Sequence, residues 1–412
     1  MFMLAIDGGP KVRTAPFPKR HLFGAAERAA ALALFDRAAE TGDAFGYNGP
    51  EEQAYEREFA ALMGGGYADL VNSGTSALYV ALGALRLQPA GEVVVPPITD
   101  PGGVMPVALL NLVPVVADAS PGTFNAGPEQ IEAVLSPWTR AIVVAHIAGE
   151  PADMDPILEL ARARGVPVIE DCAQAHGARY KGRPVGTFGA LAAVSTMSGK
   201  HHATGAQGGV VFTRDEALYW EAKRFADRGK PFNLEPGTNV RAGLNLNSNE
   251  LAAAIGRVQL GKLSSIVARR RAVAARIKAG IADLTGVAPG RELPDTESSY
   301  WFMRFRVVAE RLRVDKVRFA EALAAEGIPV GVSYRHIPSE AAWFRQRLVF
   351  PGSDYPWGLP EYRGNRAATF PCPNAVAAAE EHFTLSIHEN YAPGDADDIV
   401  AALRKVEGAY RR

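Results

Sequence analysis

The sequence predicts an α/β protein: a mostly parallel β-sheet covered by helices on both faces, followed by a smaller α+β domain. Three observations lead there. From about Phe59 to Thr213, short apolar runs alternate with helical stretches, and continuous apolar strands separated by helices mark a parallel sheet buried on both faces. After Thr213 the texture changes to long helices of mixed polarity. The 412 residues, 48% hydrophobic and 22% charged, are enough for one large core and a second smaller one.

Taken in order, Ala68 to Val71 reads as a strand and Ala77 to Leu85 as a helix, joined to what precedes by the turn Gly64-Gly65-Gly66. Glu92 to Val95 is a strand, and Met105 to Leu112 fits either type. Strands are expected over Leu112 to Asp118, Ala141 to His146, Val166 to Glu170 and Val210 to Thr213, with helices over Pro128 to Leu135 and Asp155 to Arg164. Helices follow over Asp215 to Arg228 and Asn249 to Ile281. Beyond them come a strand over Tyr300 to Val308, a helix over Val314 to Gly327 and a last helix over Asp395 to Tyr410. The domains divide into residues 1–275, an N-terminal segment with the large domain, and residues 276–412, the small one.

Forty-four basic and 45 acidic side chains leave a net charge of -1, so no whole-chain field favours nucleic acid or an anionic membrane. The run Arg269-Arg270-Arg271 reads as the solvated face of a helix. Only Cys172 and Cys372 are present, which excludes a disulfide framework and a multi-cysteine metal site and suits a reducing cytoplasm. The start, Met1 to Asp7, lacks a basic segment and a long apolar run, and nowhere do about 18 apolar residues run uninterrupted, so neither a signal peptide nor a membrane span is expected. His201 and His202 are adjacent, point apart and have no third ligand at suitable spacing, so no metal is expected.

The chemistry concentrates between Ile169 and Gly209. Asp171 closes an apolar strand, where ligands of such sheets gather. Lys200 follows in a small-residue turn, where loss of water lowers a lysine's proton affinity and makes it a nucleophile toward an aldehyde. A carboxylate for a pyridine nitrogen and a lysine for a Schiff base are what a pyridoxal 5'-phosphate site needs. Asn72 to Ala77 stands where a strand gives way to a helix, and its hydroxyls and backbone N–H groups suit a phosphate. By strand alternation Glu170 points away from Asp171, while His146 ends another strand and either borders the crevice or is structural.

Together these segments resemble the fold type I pyridoxal-phosphate enzymes of the DegT/DnrJ-type sugar aminotransferase family. The resemblance runs through Gly46 to Phe59, Asn72 to Leu78, His146 to Gly149, Glu170 to Gly177, Ser195 to Lys200, Gly243 to Glu250 and Gln259-Leu260. It implies a seven-stranded, mostly parallel sheet with a small C-terminal domain. It also implies that Lys200 forms the Schiff base, Asp171 pairs with the ring nitrogen and Gln174 reaches the ring's phenolic oxygen. Gly74, Thr75, Ser76 and Ser195 would bind the phosphate, and Asn245 would reach it from the partner subunit of a homodimer. Tyr47, Asp100, His201, Asn247, Tyr334 and His336 are candidate substrate residues. The Leu4 to Gly9 and Cys372-Pro373 segments resemble the branch of inosose aminotransferases and 3-amino-5-hydroxybenzoate synthases. The implied partners are an amino donor, glutamate or glutamine, and a keto sugar or keto cyclitol of amino-sugar or antibiotic biosynthesis.

Three departures from the family pattern stand out. Asp100 occupies the place of an aromatic that stacks on the cofactor ring, Gly205 to Gly209 is one residue longer than the family's turn and lacks its acid, and Asn247 replaces an arginine. Loss of a cation there alters recognition of a carboxylate or hydroxyls. Two other readings are a sugar dehydratase of the same family, which has histidine in place of the lysine, and a non-catalytic regulatory protein that binds the cofactor. Counted from Ser195, Lys200 rather than His201 holds the lysine position. No basic patch or added DNA-binding segment accompanies the fold.

Overall fold

The computed structural model describes residues 3–235 and 237–412. Met1 and Phe2 of the N-terminal run, and Pro236 within the Phe232 to Leu246 segment, lie outside them. Two helices, α1 (Ala25–Thr41) and α2 (Pro50–Leu62), precede the first strand, β1 (Tyr67–Val71), and α3 (Gly74–Ala84). Then come β2 (Glu92–Val95), α4 (Met105–Leu109), β3 (Val113–Val116), α5 (Pro128–Glu132), β4 (Thr139–Ala145), α6 (Met154–Arg164) and β5 (Val168–Asp171). A small hairpin, β6 (Arg179–Tyr180) and β7 (Arg183–Pro184), leads to β8 (Leu191–Ser195), β9 (Gly209–Thr213) and α7 (Glu216–Ala226). Met105 to Leu109 is thus helical, and the helix after Gly127 stops at Glu132, short of Leu135.

The large sheet has seven strands in the order β1-β9-β8-β5-β4-β2-β3. Only β9 runs against its neighbours β1 and β8; every other pair in that order is parallel. The exception follows from the connection, because no helix lies between Ser195 and Gly209 to carry the chain back over the sheet. All residues of β2, β3, β8 and β9 are buried, as strands covered on both faces must be.

Helix α8 (Glu250–Gly280) spans 31 residues, capped by the Asn249 side chain on the Ala252 N–H. Its first half packs Ala253, Leu260, Leu263 and Val267 into the core on one face of the sheet. Its second half packs Val273, Ala274 and Ile277 into the core of the small domain. It is also long and apolar enough to be a candidate membrane span, but half of that window is buried against the rest of the protein. Arg270 corrects the expectation of a solvated arginine face: it is 2% exposed. Four residues after Ile266, it lies on the buried stripe, and burial lowers its pKa to about 10.

The small domain is built on β10 (Val287–Pro289), β12 (Met303–Val307), β13 (Val330–Gly331) and β14 (His382–Leu385), ordered β10-β12-β14-β13. Strand β11 (Thr296–Glu297) instead pairs with β6. Helices α9 (Lys316–Ala325) and α12 (Pro393–Tyr410) cover the small sheet, and Leu4 of the N-terminal segment joins its core. The chain between these elements, including α10 (Ala342–Arg345), returns to the large domain, where Phe344, Trp357, Tyr362 and Cys372 enter its core. There Asp118 caps α11 (Pro373–Glu381) by accepting the Asn374 and Ala375 N–H groups.

The domains are also joined by Arg304 on β12, whose buried guanidinium reaches both carboxylate oxygens of Glu150, at 3.0 and 3.1 Å from Nε and 2.5 Å from Nη2. Breaking such a pair leaves a buried charge without its partner. Arg304→Met is therefore expected to destabilise the protein by about 3–5 kcal/mol, and the double variant Arg304→Met/Glu150→Gln to recover most of that loss, as read from urea denaturation midpoints.

Candidate active site

The carboxyl ends of β5 and β8 meet the start of α3 at one edge of the sheet. Ser73 caps α3: its hydroxyl accepts the Ser76 N–H at 3.0 Å. The Ser76 hydroxyl donates to Asn72 Oδ1 at 2.6 Å. Among the described residues no protein acceptor takes the Gly74 and Thr75 amides, so the first turn presents free N–H groups and the positive end of the helix dipole. A Cβ on Gly74 would lie 2.5 Å from the Ser195 Cβ. Only glycine lets the turn sit that close to the end of β8.

Asp171 ends β5, half-buried, and accepts the Ala173 N–H at 3.0 Å. Burial pushes its carboxyl up, while the Ala173 N–H and the positive charge of Lys200 pull it down. Lys200 is 7% exposed and its Nζ lies 4.0 Å from the centroid of the Trp301 ring. Burial lowers its pKa, opposed by Asp171 and Asp100. The two environments push acid and base toward each other, which enlarges the uncharged share of the lysine near neutral pH. Trp301 was invisible as a site residue in sequence because it lies about a hundred positions from Lys200 in an apolar strand-like run.

Gln174 is held at both ends. Its Oε1 accepts the Ala148 N–H at 2.8 Å, and its Nε2 donates to the Tyr334 hydroxyl at 2.8 Å. Tyr334 stands against Trp301, Phe302 and His336; the His336 carbonyl accepts the Thr99 N–H. Thus Gln174, Tyr334 and His336, three residues singled out in sequence, are neighbours. The Pro101-Gly102-Gly103 turn packs over the opposite side. A Cβ on Gly102 would come within 2.4 Å of Thr75 Oγ1, and one on Gly103 within 3.1 Å of Asp171 Oδ2. Asp100 is exposed and caps this turn through the Gly102 N–H at 2.9 Å.

His201 does not face this chamber. Its ring is fully buried, with Nε2 3.1 Å from the Ser299 carbonyl, because the backbone turn at Lys200 directs neighbouring side chains apart. His202 bonds the Tyr55 hydroxyl at 2.8 Å and His176 at 2.9 Å, and burial lowers its pKa to about 3. His146 is structural: it pairs with Glu170 at 3.1 Å, while Glu170 also accepts the Gly186, Phe188 and Gly189 N–H groups, each at 2.7 Å. Cys172 completes a group whose atoms could surround an ion, yet the carboxylate is committed to these four bonds.

Asn245 is exposed and accepts from the Asn247 amide at 2.8 Å. The segment runs beside the phosphate turn of its own chain, since the Asn72 N–H donates to the Leu246 carbonyl and Asn247 bridges Val71. Tyr47 lies near it, its hydroxyl accepting from Arg228 at 2.8 Å and Lys230 at 3.1 Å. These two cations stand close to Asn247, which lies 3.5 Å from the Asn48 amide.

The residues fit pyridoxal phosphate. Free helix amides and hydroxyls suit its phosphate, a half-buried carboxylate suits a cationic ring nitrogen, and the Gly102-Gly103 turn leaves no side chain to obstruct a flat ring between them.

Residues 28–404 match the DegT/DnrJ/EryC1/StrS aminotransferase family. The chain is 32% identical to the L-glutamine:2-deoxy-scyllo-inosose aminotransferase of Micromonospora echinospora, over all of this chain and 99% of that protein. It is likewise 32% identical to the L-glutamine:scyllo-inosose aminotransferase of Streptomyces griseus, over 98% and 97% of the two chains. The solved structure of an aminotransferase from Psychrobacter cryohalolentis superimposes with a TM-score of 0.80 at 29% identity, covering 96% of this chain and 99% of that one.

Because the folded pKa of Lys200 is lowered, the folded state binds its proton more weakly than the unfolded state does. Stability therefore rises with pH from the folded value up to the ordinary lysine value near about 10.4. In the cofactor-free protein, Lys200→Met is expected to be more stable than the wild type at neutral pH, the difference narrowing as pH rises; urea denaturation at several pH values checks it.

Proposed function

This chain belongs to the DegT/DnrJ/EryC1/StrS aminotransferase family, and from that premise we propose that it transfers the amino group of L-glutamine to the ketone of a cyclitol. It is a pyridoxal-phosphate-dependent aminotransferase. The choice of glutamine and of an inosose-like ring rests on the names of the two relatives that match along almost the whole chain. The observation that carries the reading is Lys200, buried beside Asp171 and Trp301 with a lowered pKa.

When bound, pyridoxal phosphate supplies an aldehyde carbon that carries the amino group and a ring that takes up the electrons released at the donor's α-carbon. The residues of the chain do the rest. Gly74 and Thr75 amides, with the hydroxyls of Thr75, Ser76 and Ser195, hold the phosphate. Asp171 keeps the ring nitrogen protonated; a cation there offsets the burial that raises its carboxyl pKa. Gln174 and Tyr334, bonded to each other, bound the ring's oxygen side. Lys200, uncharged, would take the proton from the donor's α-carbon on Nζ and deliver it to the cofactor's aldehyde carbon, one nitrogen away, and in the acceptor half do the reverse. Near the crevice, Tyr334, His336 and the exposed Asp100 present a hydroxyl, an imidazole and a carboxylate to a polyhydroxylated ring.

The active unit is read as a homodimer, to which Leu32, Phe35 and Leu244 offer exposed apolar surface, and Asn245 as the residue that crosses to the partner's phosphate. The two domains are read as dividing within α8, residues 1–275 with the large domain and residues 276–412 as the small one. Free, buried Cys172 and Cys372 suit the cytoplasm.

With pyridoxal phosphate and L-glutamine but no acceptor, the protein should release one equivalent of keto acid per active site, and adding scyllo-inosose or its 2-deoxy relative should restore turnover. Lys200→Ala should do neither. A protein that releases no keto acid but dehydrates a keto sugar would overturn this reading in favour of the dehydratase.

A further inference from the structure

We propose that Arg20 is the positioning residue of Lys200. This rests on the reading of Lys200 as the reactive lysine. Arg20 lies in an irregular N-terminal segment, far from Lys200 in sequence, yet one guanidinium holds the carbonyls on both sides of that lysine. Its Nη1 donates to the Gly199 carbonyl at 3.3 Å and its Nη2 to the His201 carbonyl at 2.9 Å.

The guanidinium is itself fixed. Its Nε donates to Glu389 Oε1 at 2.8 Å, and the other oxygen of Glu389 accepts from Arg270 Nε at 3.0 Å. Arg270 in turn donates to the carbonyls of Tyr300 at 2.9 Å and Trp301 at 3.4 Å. Trp301 closes the circuit, because its indole N–H donates to the Gly199 carbonyl at 3.2 Å while its ring lies over Lys200 Nζ. Arg20, Glu389 and Arg270 are largely buried, with side-chain exposures of 18, 8 and 3%. The strap that carries Arg20 is pinned by the segment after β14: His388 meets the Pro18 carbonyl at 2.9 Å, and the Asn390 amide meets the Arg20 carbonyl.

A lysine side chain has four rotatable bonds, so the direction of its amine depends on how firmly the backbone at its root is held. A planar fork that bridges two carbonyls fixes that root in a way a single ammonium cannot. Glu389 belongs to the small domain, Arg270 to the helix shared by both domains, and Lys200 to the large domain. The root of the reactive lysine is therefore set by the seating of the small domain. Held at its root, the amine stays in the buried site, where burial disfavours its protonated form against Asp171 and Asp100; His176 and Trp301 are the other groups facing it.

The test uses Arg20→Gln, Arg20→Lys and Glu389→Gln in the full-length protein. In the cofactor-free form, the pH midpoint of Lys200 acylation, followed by peptide mass spectrometry, should rise toward the ordinary lysine value in Arg20→Gln, because an amine whose root is released reaches water. In the holoenzyme kcat should fall by about tenfold or more with KM for the amino donor within about twofold of wild type. Arg20→Lys should fail to restore kcat, and combining Arg20→Gln with Glu389→Gln should add little to Arg20→Gln alone. The proposal is overturned if Arg20→Gln lowers only the melting temperature, or if Arg20→Lys restores kcat in full. Should Arg20→Gln not fold, Glu389→Gln, which frees the guanidinium but keeps its charge, is read by the same two measurements. The acylation midpoint needs no turnover, so a wrong assignment of donor or acceptor leaves it interpretable.

Discussion

Helix α8 must satisfy two hydrophobic cores with one uninterrupted rod. Its Ala253, Leu260 and Leu263 belong under the large sheet and its Val273, Ala274 and Ile277 under the small one. Because a helix is stiff over such a length, the packing of one core fixes the orientation of the other. The Arg304 to Glu150 pair then closes the same joint from the far side. The crevice at the strand ends depends on this arrangement, since its floor, Asp171 and Ser195, comes from the large sheet, while Tyr334 and Trp301 arrive from beyond α8. Near the point where the two cores meet, a position that cannot be apolar in both directions is filled by Arg270, which is buried and held by Glu389 and two main-chain carbonyls.

Local chemistry was legible from sequence where it obeys periodicity or strand logic. Asp171 follows an apolar run, so its place at a strand end and the opposite facing of Glu170 could both be read. The Ser73 cap and the free amides behind it are likewise local, within a few residues of Gly74. The family pattern added roles for Gln174 and Lys200, and the structure brings both to the same chamber as Asp171. The direction of β9 was readable as well, had the missing helix between Ser195 and Gly209 been weighed against its apolar composition.

What stayed hidden depends on contacts between distant stretches of chain. Arg20 has no pattern around it, and its partners lie about 180 and 370 positions away. Arg270 was misread because three arginines in a row look solvated, although one of three consecutive helical residues must face inward on a helix packed along this side. His201 drew attention through its chain neighbour Lys200, but adjacent residues in a tight turn point apart, and its ring belongs to the core. The contact of Arg228 and Lys230 with Tyr47 joins two segments that sequence could only place near the same loop.

The glycines of the Pro101-Gly102-Gly103 turn have a consequence for how such a site changes over time. Where a wall is made of side chains, its shape and polarity can be altered one residue at a time. Here the wall beside Thr75 and Asp171 is main chain, and any added Cβ meets a neighbour at close range. This surface is closed to point substitution and moves only when the loop itself is rebuilt. Change in what the crevice accepts is thereby left to its rim, to side chains such as Asp100, Tyr334 and His336.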